Sequence, residues 1–159
     1  MTCRFVSTKT YDHLGPVAYR QWRAESHCDK LHGYALSFHF EFESDELDVR
    51  NWVVDYGGLR PLKELLEEWF DHTLLVAEDD PMKEELRDLE TIGLAKVRVV
   101  ERTGCEGIAD YLYCYLNDPI DGFLSTTLGY GDRVWCSRVE VRETPSNMAA
   151  RIGHREDWS

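Results

Sequence analysis

The sequence predicts an α+β fold in which an antiparallel sheet carries its helices on one face. Segments that read as strands lie near both ends of the chain, at 3–12 and 32–43 and again at 133–143, and 147–152 could return as the hairpin partner of the last one. Segments with helical spacing lie between them, so the order is two strands, then helices, then two strands. No internal repeat or linker divides the 159 residues, and we expect a single domain over 1–159.

The first part of the chain is expected to hold two strands separated by a long connection. Residues 3–12 are rich in threonine, valine and aromatic side chains and read as the first strand. His13 ends this strand, and the Leu-Gly-Pro sequence at 14–16 is a turn signal. Residues 17–31 form the connection, and the second strand follows over 32–43.

Strand parity sorts the histidines of the second strand. On a regular strand His32 and Tyr34 share one face and lie about 6–7 Å apart along the strand. His39 points to the other face, which predicts that it packs across to a neighbouring strand.

Three helices are predicted in the middle of the chain. The first follows a Gly-Gly pair and ends at 70–72. The second starts at Asp80-Pro81, a capping residue and a proline in the first turn, with Gly93 as its stop. A small strand over 96–100 precedes the third helix, over 106–116. The apolar positions at helical spacing are Leu59, Leu62, Leu65, Leu66 and Trp69 in the first helix, Met82, Leu86 and Leu89 in the second, and Ile108, Ala109, Leu112 and Leu116 in the third.

Composition limits the partners and the cellular setting. The chain has 30 acidic and 18 basic residues and a formal net charge of −12, which argues against a nucleic-acid surface. Its five cysteines contain no C-x-x-C pair, which favours a reducing cytosol over a disulfide framework or a zinc ribbon. The sequence has no apolar run of membrane length and no signal-peptide core at its start. We therefore expect a cytoplasmic protein that binds neither nucleic acid nor membranes.

Cys28 and His32, four residues apart, stand on the approach to the second strand. This spacing can aim a thiol and an imidazole at one small volume, which suits a metal site with a reactive thiol beside it. The alternative is a loop with an inert cysteine and a surface histidine.

Two further pairs of residues have the chemistry of a site. Asp71 lies beside His72, and a carboxylate can fix the tautomer of an imidazole and raise its basicity, as a general acid or base requires. The alternative is a histidine favoured by the helix dipole. Glu143, at the end of a strand, could accept two parallel N–H bonds from a heterocycle edge, or it could be a solvated strand terminus. Cys105 and Glu106 start a helix, where the dipole alone would favour the glutamate.

Together these segments resemble the 6-pyruvoyl-tetrahydropterin synthase / 6-carboxytetrahydropterin synthase family. Five pieces of the chain, in the family's order and spanning most of its length, carry the resemblance. They are 28–34, similar to the family's C-x-x-L-H-G-H; 52–59, similar to its hydrophobic-x-Asp-Phe-x-x-Leu; 70–75, similar to its Leu-Asp-His-x-x-Leu; 104–106, where Pro-Thr-x-Glu usually begins the later helix; and 139–144, similar to its closing V-x-V-x-E-T.

The resemblance implies the tunnelling fold, a four-stranded antiparallel sheet with helices packed on one face. In this family the subunits join edge to edge into a barrel, with active sites at the interfaces. We therefore expect a homo-oligomer, a hexamer of two trimeric rings, and a pterin substrate derived from GTP.

The resemblance also implies roles for particular residues. His13 and His32 would bind a zinc ion, Cys28 would be the general base, and Asp71 with His72 would form a proton relay. The 2-amino-pyrimidinone edge of the pterin would be anchored by the carboxylate near the end of the last long strand and by the start of the later helix. These substrate-binding residues are Glu143, Cys105 and Glu106.

This sequence departs from the family pattern in two places. The third zinc histidine of H-G-H is Tyr34 here, and a phenol with a pKa of about 10 is a poor substitute. The connection from His13 to Cys28 is also longer than usual. As the third ligand we prefer His27, five residues before His32, with the thiolate of Cys28 as the competing donor.

The spacing from Cys28 to His32 is closer to the 6-carboxytetrahydropterin synthase branch of the family. The sequence is thus interpreted as a zinc-dependent lyase that converts 7,8-dihydroneopterin triphosphate to 6-carboxy-5,6,7,8-tetrahydropterin in 7-deazaguanine (queuosine-type) biosynthesis. One alternative is a 6-pyruvoyl-tetrahydropterin synthase, which eliminates triphosphate. Another, favoured by Tyr34, is a non-catalytic oligomer that binds a pterin or a purine.

Overall fold

A computed structural model describes residues 3–158, with eight strands and four α-helices. Short 3-10 turns at His27–Asp29, Gly57–Leu59 and Arg155–Trp158 complete the regular structure of these residues. The strands are β1 Phe5–Tyr11, β2 Pro16–Tyr19, β3 His32–Ala35, β4 Ser37–Ser44, β5 Thr73–Ala77, β6 Lys96–Val100, β7 Trp135–Arg142 and β8 Met148–Ile152. The helices are α1 Arg60–Phe70, α2 Lys83–Thr91, α3 Cys105–Asn117 and α4 Phe123–Thr126.

The first sheet has four antiparallel strands in the order β1-β4-β7-β8. It confirms the predicted fold class and the pairing of the last two strands as a hairpin. Thr10 lies opposite His39 in the register, and the two side chains are 2.7 Å apart between Oγ1 and Nδ1. The cross-strand role predicted for His39 is therefore confirmed.

The core lies between this sheet and the helices α1 and α3. Phe38 of β4 packs on Phe70 of α1, with ring centroids 5.1 Å apart, and Trp69 of α1 packs on Tyr111 of α3 at 5.3 Å. The apolar stripe predicted for the third helix is buried at each of its four positions. Within residues 3–158 no helix is long and apolar enough to cross a membrane.

A second sheet, in the order β3-β2-β5-β6, was not predicted. Its strands β2 and β3 are antiparallel, whereas β2 with β5 and β5 with β6 are parallel. The prediction that 17–31 is only a connection was wrong at its start, and no strand was predicted at 73–77. Because β5 is buried at all five positions, it lacks the alternation by which a half-exposed strand is found.

The prediction of one strand over 32–43 was also wrong, since the chain changes sheets at Leu36. The chain also changes sheets in the corner between β1 and β2, where His13 has φ 52° and Gly15 has φ 111°. A Cβ atom on Gly15 would lie 1.8 Å from Oδ1 of Asp71, so no larger residue fits there without displacing the carboxylate. In this corner the backbone at Gly15 therefore runs close to the side chain of Asp71.

Candidate functional site

Asp71 and His72 lie between the end of α1 and the start of β5. Oδ1 of Asp71 is 2.6 Å from Nδ1 of His72, and because a carboxylate accepts, Nδ1 carries the proton. The backbone N–H of His72 donates to the carbonyl of Pro16 at 2.7 Å, which ties this pair to β2. The free Nε2 of His72 can therefore take up or release a proton beside a fixed carboxylate.

Asp71 and His72 line a cleft of about 570 Å³, and His13 lines the same cleft. His13 is exposed and lies at the corner between β1 and β2. Its own backbone N–H donates to Ser37 Oγ at 3.4 Å. The structure thus brings together three predicted site residues from different parts of the sequence.

Glu143 forms a second cluster with two buried donors. The phenol of Tyr19 donates to its Oε2 at 3.3 Å, and the thiol of Cys105 donates to the same oxygen at 3.8 Å. Burial and then the charge of Glu143 raise the pKa of Cys105 to about 12. Burial raises the pKa of Tyr19 above its ordinary value in the same way. Both donors are therefore protonated at neutral pH.

His32 and Tyr34 stand next to this cluster on β3. Their ring centroids lie 5.6 and 5.8 Å from that of Tyr19, respectively, and 5.3 Å from each other. Nδ1 of His32 donates to the carbonyl of Lys30 at 2.6 Å, so the lone pair of Nε2 is free. The pKa of Tyr34 is raised, first by burial and then by the nearby charges of Glu143 and Cys28. Its phenol is therefore protonated at neutral pH.

His13 connects the two clusters. Besides the first cleft it lines a smaller one of about 290 Å³, whose lining includes Ala35, Ser37 and Glu143. The acid–base pair Asp71–His72 and the carboxylate of Glu143 therefore border neighbouring clefts that share one histidine.

The predicted zinc ligands His13, His32 and His27 are not gathered into one site. Among residues 3–158 no three His, Cys, Asp or Glu side chains lie close enough to hold a metal ion. His27 is exposed on a 3-10 turn, whereas His32 packs on Tyr19. The hydrogen bond from Nδ1 of His32 to a backbone carbonyl orients the ring and leaves Nε2 free, as in a metal-binding histidine. The donors of one chain nonetheless do not fit a complete three-ligand zinc site.

Two other predicted site residues, Cys28 and Glu106, have no hydrogen bond to the carboxylate of Glu143 within residues 3–158. Cys28, half-buried on the turn before β3, is close enough to Tyr34 to influence its pKa. Glu106 is exposed and lines a different cleft with Trp22 and Arg102, rather than contacting Glu143. Their predicted roles, as base and as substrate-binding residue, remain predictions.

Tyr19 is a site residue that the sequence analysis missed. It was placed in the connection between two strands, although it pairs with His32 in the β2–β3 register. The alternation of Val17 and Tyr19 after a turn signal was the one local sign of a strand.

Comparison with known proteins gives a consistent result. A sequence profile of the family described as 6-pyruvoyl tetrahydropterin synthase matches residues 16–153. The 6-carboxy-5,6,7,8-tetrahydropterin synthase of Aquifex aeolicus is 32% identical over 97 residues, which are 59% of this chain and 59% of that protein. The protein of the same name from Bacillus subtilis is 25% identical over 135 residues, 85% of this chain and 77% of that protein.

Solved structures share the fold. An uncharacterized protein of Wolinella succinogenes superposes with a TM-score of 0.76 at 24% identity, covering 96% of this chain and 99% of that one. The 6-pyruvoyl tetrahydropterin synthase of Caenorhabditis elegans superposes with a TM-score of 0.61 at 14% identity, covering 96% and 98%. The profile match over most of the chain and the shared tunnelling fold lead to one conclusion: this chain belongs to the 6-pyruvoyl tetrahydropterin synthase family.

Proposed function

We propose that this chain is a lyase that converts 7,8-dihydroneopterin triphosphate to 6-carboxy-5,6,7,8-tetrahydropterin, in the biosynthesis of 7-deazaguanine (queuosine-type) compounds. Both curated relatives described above are named 6-carboxy-5,6,7,8-tetrahydropterin synthase, which supports this product over 6-pyruvoyl-tetrahydropterin. The predicted cytoplasmic location accords with a metabolite substrate.

The observation that carries the proposal is the position of His13 on both clefts. A pterin has a hydrogen-bonding pyrimidinone edge at one end and a reactive side chain at the other. The cleft with Glu143 offers a carboxylate to the first, and the cleft with Asp71 and His72 offers a proton-transfer group to the second. One substrate that reaches across His13 would meet both.

Each residue then has a separate task. The carboxylate of Glu143 accepts the 2-amino and ring N–H groups, which orients the pterin. Cys28 removes a carbon-bound proton from the side chain as its thiolate. His72, with its tautomer fixed by Asp71, moves a proton at Nε2. Zinc dependence remains a prediction, and no step is assigned to the metal because the donors of one chain do not complete its site.

A homo-oligomer is part of the proposal, because both clefts are open and a neighbouring chain could close them. We propose the hexamer of two trimeric rings that the family resemblance implies. The pterin is the expected small-molecule partner.

Tyr34 favours a second candidate function. It replaces a zinc histidine of the family pattern, and its phenol stays protonated beside Glu143. A chain without the metal would keep the carboxylate and could bind a pterin or purine without converting it.

Product analysis of the purified protein with dihydroneopterin triphosphate separates these functions. We expect 6-carboxytetrahydropterin from the wild type. Cys28→Ala should lower kcat by at least about 10²-fold while the pterin Kd changes little, because a base acts in the transition state. Formation of 6-pyruvoyl-tetrahydropterin would support the alternative enzyme, and pterin binding without turnover would support the binding protein. Full activity of Cys28→Ala would show that another group is the base.

A further inference from the structure

Tyr19 has no task in the proposed reaction, yet it contacts the residue assigned to bind the pterin. Its phenol donates to Oε2 of Glu143 at 3.3 Å. The thiol of Cys105, from the first turn of α3, donates to the same oxygen at 3.8 Å. The other oxygen, Oε1, accepts from the exposed side-chain amide of Asn147 at 3.4 Å.

The phenol of Tyr19 is held rigidly. Its side chain is fully buried, and the rings of His32 and Tyr34 pack against it. Its backbone is paired with that of His32 in the β2–β3 ladder. Because neither its backbone nor its ring can follow a moving partner, Tyr19 fixes the position of the oxygen that it contacts.

Both donors are neutral, which makes them suitable partners for a carboxylate. The pKa of Cys105 is raised to about 12, and that of Tyr19 is raised by burial and by the same carboxylate. Neither group loses its proton at the pH of the cell, so the two hydrogen bonds persist when other groups titrate.

We propose that Tyr19 is a positioning residue that fixes the plane of the Glu143 carboxylate for a ligand with two parallel N–H donors. Recognition of a 2-amino-pyrimidinone edge requires both carboxylate oxygens in one plane with the ligand. A freely rotating carboxylate would satisfy such an edge only in a fraction of its orientations. This inference rests on the proposed function, since it assumes that Glu143 meets the pterin edge.

A double-mutant cycle with two probe ligands tests it. The Kd of pterin and of lumazine, which has an oxo group in place of the 2-amino group, is measured by fluorescence titration. Tyr19→Phe should raise the Kd of pterin about tenfold, the loss expected for a hydrogen bond to a charged group. It should change the Kd of lumazine less than about threefold and, in a Glu143→Gln background, the Kd of pterin less than about twofold.

Two further variants keep the result independent of folding. Tyr130→Phe also removes a phenol, one that accepts from the backbone N–H of Asp55 at 3.2 Å, and should leave both Kd values unchanged. Cys105→Ala removes the weaker donor and should raise the Kd of pterin by a smaller factor than Tyr19→Phe does, because a thiol is a weak donor.

Each contrary outcome has a definite meaning. If Tyr19→Phe weakens pterin and lumazine equally, or weakens pterin as much in the Glu143→Gln background, Tyr19 does not act through the carboxylate and the inference fails. If Glu143→Gln weakens pterin binding but Tyr19→Phe does not, the proposed function stands and the inference fails. A wild type that binds no pterin would overturn both.

Discussion

Two residues of the candidate site have an unusual backbone conformation. Within residues 3–158 the non-glycine residues with positive φ are His13, His72 and Asn51, and both histidines have φ 52°. Such conformations are unfavourable for residues with a Cβ atom and persist only where the surroundings impose them. The hydrogen bond from the backbone N–H of His72 to the carbonyl of Pro16 holds one of these two histidines in place. Both histidines line the cleft that also contains Asp71.

We expect Tyr34 to limit how strongly a single chain can hold zinc. Its phenol stays protonated, so it should contribute little to metal binding. A catalytic zinc site usually has three protein ligands. Tyr34→His would add an imidazole on the face of β3 that also carries His32.

We therefore expect the wild type to lose its zinc on dialysis against a chelator, and Tyr34→His to retain more zinc than the wild type. Elemental analysis of the dialysed proteins measures this. Tyr34→Phe is the matched control and should behave like the wild type, whereas His32→Ala should bind less zinc before dialysis. Retention of zinc by the wild type and its loss in His27→Ala would instead support the ligand set predicted from the sequence.

At the scale of elements, β2 is anchored by an ion pair. The guanidinium of Arg20 contacts both carboxylate oxygens of Asp80, with Nε at 2.8 Å and Nη2 at 2.6 Å. The Asp80 side chain is 1% exposed and also accepts the N–H of Met82 before α2. These contacts join the strand that carries Tyr19 to the turn after β5, so they support the second sheet.

Asp80→Asn should lower the free energy of unfolding at pH 7 by about 3 kcal/mol, because it leaves a largely buried guanidinium without its charged partner. Arg20 holds the pKa of Asp80 below its usual range. A carboxylate with a lowered pKa stabilises the fold above its unfolded pKa of about 3.9 and loses that contribution as the pH falls through the folded value. The difference between wild type and variant should therefore shrink below about pH 4.

Urea unfolding at several pH values measures this difference. Asp79→Asn is the matched control, because the carboxylate of Asp79, next to Asp80 in the chain, pairs with Arg23 on the surface. A smaller effect of Asp80→Asn than of Asp79→Asn, or an effect that does not change between pH 7 and pH 3, would contradict the role of the pair.

At the scale of the whole molecule, the edge strands of the first sheet, β1 and β8, are each paired on one side only within residues 3–158. Both carry exposed apolar side chains, with Val6 51% and Ile152 53% exposed. Unpaired edges with apolar side chains tend to pair with another chain. This arrangement accords with the proposed edge-to-edge assembly.

Light scattering should give a mass close to six times the 18.5 kDa of the chain. Ile152→Lys should reduce the mass to that of one or a few chains, because a charge on an edge strand opposes pairing. Ile120→Lys is a suitable control, since Ile120 is 80% exposed on the loop before α4 and lies outside both edge strands. A wild type with the mass of one chain would rule out the shared assembly.

Elements with a strong period could be predicted from the sequence. The strands β1 and β7 and the helices α1 and α3 each bury one face, so their apolar residues recur at the spacing of the element. The strands β2 and β5 could not be predicted in the same way. One has four residues, and the other is buried on both faces, so neither shows a clear alternation.

For the site, the residue types and their near neighbours could be predicted from the sequence: the pair Asp71–His72, the thiol of Cys28 before His32, and Glu143 at a strand end. It is the folding of distant segments onto one another that brings Tyr19 and Cys105 to one oxygen of Glu143 and places His13 on both clefts. Local spacing specifies contacts only within an element. Contacts between β2, α3 and β7 depend on how the two sheets and the helices pack around one core, and no short stretch of sequence encodes that packing.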